Sequence, residues 1–361
     1  MPTNFPTLTS RSRRRAVENL QARSQVISAV NRVYKLVESY RSAQIDPASY
    51  KFLGIDFRSL ELDEDGKHRY PPNSDPSGAT FFEPRGALWV APVVPNTKYV
   101  NRLRAITEGW EKVKDDPLVR DLHAQASYIF SCLEWMFFQF RRQFYPPGDS
   151  RVPPNLREMS KWLESGDVVP SVIAEKFYPA IWGSIRWAPA DIFVPKTLLY
   201  PSGVPPHIMI TILIGEEPSE ELLRVEVMTL TAVMITRLEG EEFLECNTIP
   251  VMAITMFGQM KARVIEANSD HQGLTIKKTK LFDFSTNELA GKSMDILLGF
   301  MCADLVGDPK EPTVPTNIVE SPQKADKAEK AKGGTLRKMF GRMRPRVGPD
   351  AESDFPEGVG R

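Results

Sequence analysis

Histidine and cysteine are scarce in this chain of 361 residues, which holds four of the first and three of the second. The cysteines, Cys132, Cys246 and Cys302, are odd in number, far apart and set among apolar residues. With no CxxC or Cys/His ligand spacing, neither a disulfide framework nor a zinc site is supported, and buried free thiols in a reducing compartment are expected. His68, His123, His207 and His271 stand apart from one another, outside HExxH or any other ligand spacing. Also missing are GxSxG, a Walker A loop and a GxGxxG placed after a strand. No cofactor and no catalytic set is therefore expected.

Net charge is absent as well. Forty-six Lys plus Arg balance 46 Asp plus Glu, so nucleic acid is not an expected partner, and any affinity for anions has to come from local clustering. No run reaches the ~20 apolar residues that span a bilayer. The most hydrophobic stretch, residues 128–138, contains Glu134 and is followed by Arg141 and Arg142. The opening MPTNFPTLTSRSRRR has arginines but no apolar core after them, so no secretory signal is expected. Together these absences indicate a soluble intracellular protein of the cytoplasm or nucleus.

What is present suffices for a large core. Hydrophobic residues make up 42% of the chain, and a ~300-residue fold buries about three quarters of the surface of its unfolded chain. After a flexible segment 1–11, a first helix is expected over 12–42, with Leu20, Ile27 and Tyr34 seven residues apart and Val30 and Val37, themselves seven apart, interleaved with that series. Residues 54–96 are rich in turn signals and read as irregular, with short extended pieces at Phe81-Phe82 and 87–94. Helices follow over 97–114 and from Pro117, capped by Asp116, to 144, with shorter ones at 154–164 and 169–185. Residues 207–214 (HIMITILI) read as a buried strand, and a helix follows in which Leu223, Val227, Leu230 and Met234 recur every few residues. Residues 248–257, 260–268 and 274–284 then form an antiparallel meander. A last helix, 285–305, starts at Ser285 or Thr286 and points Leu289, Ile296, Leu297, Phe300 and Met301 inward.

Beyond Gly307 the composition turns to Pro, Lys, Glu, Ala and Gly, and the tail 307–361 is expected to be disordered. The fold expected is α+β: an N-terminal helical layer packed on a C-terminal antiparallel sheet in one domain, 12–306, divisible into a helical lobe 12–200 and a sheet lobe 201–306.

Two basic elements are candidate contact surfaces for a protein partner or an anionic ligand. In the meander, Lys261 and Arg263 meet Lys277, Lys278 and Lys280 across a hairpin; like charges opposed on a sheet are unfavourable, and an anion would relieve them. The alternative is neutralisation by Glu266 and Asp283. In the tail, nine Lys or Arg between Lys324 and Arg346 face only Asp326 and Glu329. There Leu336, Met339, Phe340 and Met343 lie at helical spacing among Arg337, Lys338, Arg342, Arg344 and Arg346. Such a stretch suits an anionic membrane surface, an acidic groove or nuclear import. The cluster Glu239, Glu241, Glu242 and Glu245 reads as a solvated helix end.

The leading expectation is a non-catalytic binding or scaffold protein. Its alternatives are an enzyme whose site is assembled from distant residues and a metal-dependent nuclease. The nuclease would need Glu-x-Lys on a strand, where this chain has Glu266-Ala267-Asn268. Residues 249–308 resemble a family of uncharacterised fungal proteins. The likeness is carried by Pro250-Val251-Met252, Gly258, Ala262-Arg263-Val264-Ile265-Glu266-Ala267, the turn Asp270 to Gly273, Leu274-Thr275-Ile276-Lys277 and Lys280-Leu281-Phe282-Asp283-Phe284. It implies the meander and a fungal origin, and no activity.

Overall fold

Two short hydrophobic runs, IMITILI and VMAITMF, are apolar at every position but one threonine each, the pattern of strands covered on both faces. In the computed structural model they are β5 (Ile208–Ile214) and β6 (Val251–Phe257), parallel neighbours at the centre of an eight-stranded mixed sheet. The structure describes residues 10–70, 80–90, 100–113, 116–141, 153–165, 172–184, 186–199 and 203–310. The basic tail lies outside these, as do the side chains of the N-terminal arginines.

Outward from β5 run β4 (Trp187–Pro195) and the edge strand β3 (Trp162–Glu164), both antiparallel. Outward from β6 run β7 (Lys261–Ser269), β8 (Leu274–Lys278) and the other edge strand, β1 (Ile55–Ser59), which is parallel to β8. The short β9 (Phe282–Asp283) also pairs with β7, while β2 (Phe82–Glu83) and β10 (Asp304–Leu305) form a separate ribbon. The α+β class and the meander hold, but the sheet is mixed and takes three strands from the first 200 residues. A boundary near residue 200 would run through the middle of this sheet.

Strand alternation divides the core into two layers. Ile208, Ile210, Ile212, Val251, Ala253, Ile265 and Ile276 face helices α1 (Ser10–Glu38) and α9 (Arg224–Glu239). Met209, Met252, Ile254, Met256, Ala262 and Val264 face α6 (Leu122–Gln139) and α10 (Asn287–Met301). Since α9 makes the crossover between parallel strands, it is buried almost all round. In α1 the buried stripe is Val26, Val30, Val33 and Val37; Leu20, expected inside, is 58% exposed because the stripe drifts off the sheet toward the N-terminus. Leu289 of α10 is likewise 43% exposed, at the solvent end of its first turn.

The remaining helices are short: α2 (Tyr50–Leu53), α3 (Ala87–Val90), α4 (Val100–Glu108), α5 (Trp110–Val113), α7 (Leu156–Met159) and α8 (Tyr178–Ile181). Residues 87–90 are thus helical where an extended piece was expected, and 91–94 lie outside the described residues. The helix expected over 154–164 ends at Ser160 and becomes β3. Asp116 does cap a Pro117 turn, but that turn is 3-10, and Asp121 caps α6 proper by accepting from the Ala124 N–H at 2.8 Å. No helix among the described residues is long and apolar enough to cross a membrane.

Candidate functional site

The register of the β7–β8 hairpin decides where its cations go. Glu266 sits opposite Lys277 and Ile265 opposite Lys278, so neighbouring cations point to opposite faces. Lys261, at the start of β7, pairs with Asp283 at 2.6 Å. Arg263 is fully buried on the α9 side of the sheet. Its guanidinium makes a two-point ion pair with Glu226, also fully buried, and donates to the Ser219 and Glu221 carbonyls at 2.6 and 3.0 Å. It also lies over the Phe257 ring. Lys278 is buried beside it and pairs with Glu220 at 3.1 Å; burial first, then the Arg263 charge, lowers its pKa. Lys280 is exposed after the strand.

These five residues therefore do not converge on one surface. Asp283 neutralises Lys261 as expected, while Glu226 in the first turn of α9 and Glu220 just before that helix serve Arg263 and Lys278. The tail residues Arg337, Lys338, Arg342, Arg344 and Arg346 lie outside the described residues.

On the other face, Glu266 is buried with its Oε1 2.9 Å from His68 Nε2. Lys277 stands across from it, where burial and Arg58 lower its pKa and Glu266 raises it. The structure thus places a lysine beside Glu266 from the neighbouring strand, whereas Asn268 occupies the i+2 position. Among the described residues, no three His, Cys, Asp or Glu side chains converge to hold a metal ion.

A cleft of about 940 Å³ lies where the chain enters β5 and β6. One wall is Leu163 of edge strand β3 with Val194 and Pro195 of β4; another is Val204, Pro205 and Pro206, leading into β5. The third is the α9–β6 connection, Glu241 to Cys246, and Pro309 and Lys310 complete it. In its lining, Arg237 from the last turn of α9 is largely buried, paired with Glu242 at 2.7 Å and stacked on Phe243. Its Nε has no hydrogen-bond partner among the described residues. Burial lowers the Arg237 pKa and Glu242 opposes that shift.

The connection is held by Arg23 of α1, whose guanidinium donates to the carbonyls of Leu238, Gly240 and Cys246 at 2.6, 3.2 and 2.7 Å, and to that of Phe243. A cation here satisfies carbonyls that the end of α9 leaves free. Of the glutamates that read as a solvated helix end, Glu239 ends α9 and pairs with Lys176, while Glu241, Glu242 and Glu245 are exposed beyond it and also form the rim of the cleft. The sequence signal was the interleaving of Phe243 and Leu244 with them, which a solvated helix end does not need. Three rim carboxylates, Glu241, Glu242 and Glu245, face two cations, Arg237 and Lys310.

Comparison of the chain with protein-family models, with curated proteins and with solved structures finds no match in any of the three. The resemblance of residues 249–308 therefore stands on those residues alone.

Proposed function

We propose that this protein is a non-catalytic binding protein that takes an extended peptide segment, apolar residues flanked by Lys or Arg, into the cleft between β3 and the α9–β6 connection. The observation that carries this reading is the pairing of apolar walls with a rim holding one carboxylate more than its cations. The volume lies in the range of ligand sites, about 300–1,000 Å³. Leu163 and Leu244 are both exposed there, and a partner residue would bury them. Glu245 is fully exposed and its pair with Lys310 spans open solvent, so an incoming cation can replace that lysine at little cost.

The test is fluorescence anisotropy of the full-length protein with a labelled octapeptide of alternating leucine and lysine, against a leucine–glutamate control. The lysine peptide is expected to bind, to weaken with added salt, and to weaken about tenfold in Glu241→Lys/Glu245→Lys. Equal binding of both peptides, no binding, or indifference to the double substitution refutes the reading.

A further inference from the structure

At the opposite end of the sheet, among the described residues, β1 pairs on one side only, with β8. The Leu274 N–H donates to the Gly54 carbonyl and the Leu60 N–H to the Lys278 carbonyl, at 2.9 and 2.8 Å. In a parallel ladder with that phase, the backbone of Asp56 and Arg58 also turns toward β8. The N–H and C=O groups of Ile55, Phe57 and Ser59 then point away from the sheet, an open template for another strand. The edge is not blunted by proline, a bulge or a net charge. Four of its five residues are exposed, Phe57 is 36% exposed, and Phe52 in the preceding helical turn is 70% exposed.

We infer that this edge joins two copies of the chain, β1 pairing antiparallel with β1 about a twofold axis through Phe57. The strand reads Ile55-Asp56-Phe57-Arg58-Ser59, and its charges are self-complementary about that centre. Phe57 would exchange both backbone hydrogen bonds with Phe57 of the second copy, and Ile55 would do so with Ser59. Asp56 then falls opposite Arg58 of the second copy in the non-hydrogen-bonded pairs, where side chains come closest. In the single chain Asp56 and Arg58 already contact each other at 2.7 Å with both side chains more than half exposed, so each needs only to turn across the axis. Phe57, against Tyr50 at 5.3 Å between ring centres, would meet its own copy on the other face, with Phe52 near the seam. A five-residue ladder lies at the small end of interfaces, so association in the micromolar range is expected. This edge is remote from the cleft, and the inference does not depend on that reading.

The test is sedimentation velocity of the full-length protein across about 1–200 μM. A reversible dimer is expected. Asp56→Arg and Arg58→Asp should each weaken it about tenfold by opposing like charges, and the double exchange Asp56→Arg/Arg58→Asp should restore it. Unchanged near-ultraviolet circular dichroism shows that the variants fold. A wild-type monomer throughout, single variants that dimerise as well as wild type, or a double exchange without rescue overturns the inference.

Discussion

The Arg263–Glu226 pair gives the most demanding test of how this fold is held. Both side chains are fully buried, so each is tolerated only because the other is present. Replacing Glu226 by Leu leaves a guanidinium inside the protein with two carbonyl acceptors, Ser219 and Glu221, and no paired carboxylate. Replacing Arg263 by Met leaves a buried carboxylate whose remaining donor is the Leu223 N–H at 2.9 Å. Breaking a buried pair from one side costs about 3–5 kcal/mol, and each single variant is expected in that range. The double variant Arg263→Met/Glu226→Leu removes both charges; it still forfeits the two carbonyl contacts and the cap on Leu223, at about 1 kcal/mol each. It should therefore lose about 3 kcal/mol, well short of the sum of the singles. Equilibrium urea denaturation of the four proteins gives the cycle directly. Single variants costing under about 1 kcal/mol, or a double equal to the sum, would refute the reasoning. It also follows that charge reversal at Arg263 cannot serve as a test of anion binding, since it would face Glu226 with a second carboxylate in the core.

Burial, reinforced by Glu134 and Glu164, pushes the Asp191 carboxyl from 3.8 up to about 6. A carboxyl with a higher pKa folded than unfolded favours the fold when protonated, so its contribution is full below about 4 and lost as pH rises through about 6. Asp191→Asn is expected to add about 1–2 kcal/mol at pH 7.5, allowing for the group's partial exposure, and nothing near pH 4; thermal denaturation at both values checks this. Gly273 has φ +155, and a Cβ there would stand 2.1 Å from the Gly54 carbonyl oxygen that accepts from Leu274. Gly273→Ala should thus cost about 2 kcal/mol or more and raise amide exchange in β1 and β8, whereas unaltered exchange would show that the turn can shift aside. All three cysteines are buried, and burial pushes the Cys132 thiol up to about 12. Ellman's reagent should leave Cys132 unlabelled in the native protein and label it fully in guanidinium; prompt native labelling would contradict its burial.

The parts legible in the sequence were those whose signal is local. β5 and β6 are apolar runs interrupted by a single threonine each, the meander has its turns at Gly258 and Asp270–Gly273, and α10 is capped by Thr286, which accepts from the Leu289 N–H as a cap should. The strands that were missed lack such signals. β4 contains Pro189 and Pro195, residues that argue against a strand; it tolerates them because the register shifts between Pro189 and Ile192 and because Pro195 is its last residue. β1 alternates charge with a single aromatic and reads as loop until β8 supplies its partner from more than 200 residues away. The candidate sites divide in the same way. A composition reading finds the cations of the hairpin but not their register, and one residue of slip exchanges the two faces of a strand. That slip separates a lysine paired across from Glu266 from an arginine buried against Glu226. The cleft depends on still longer range: Arg23 and Arg237 are unremarkable helix arginines in sequence, and only their meeting at the end of α9 turns a string of glutamates into a rim with a fixed shape. Sequence period therefore located the core, while charge pairing across the sheet and at helix ends, which has no period, determined which charged groups the fold takes inside and which it leaves exposed.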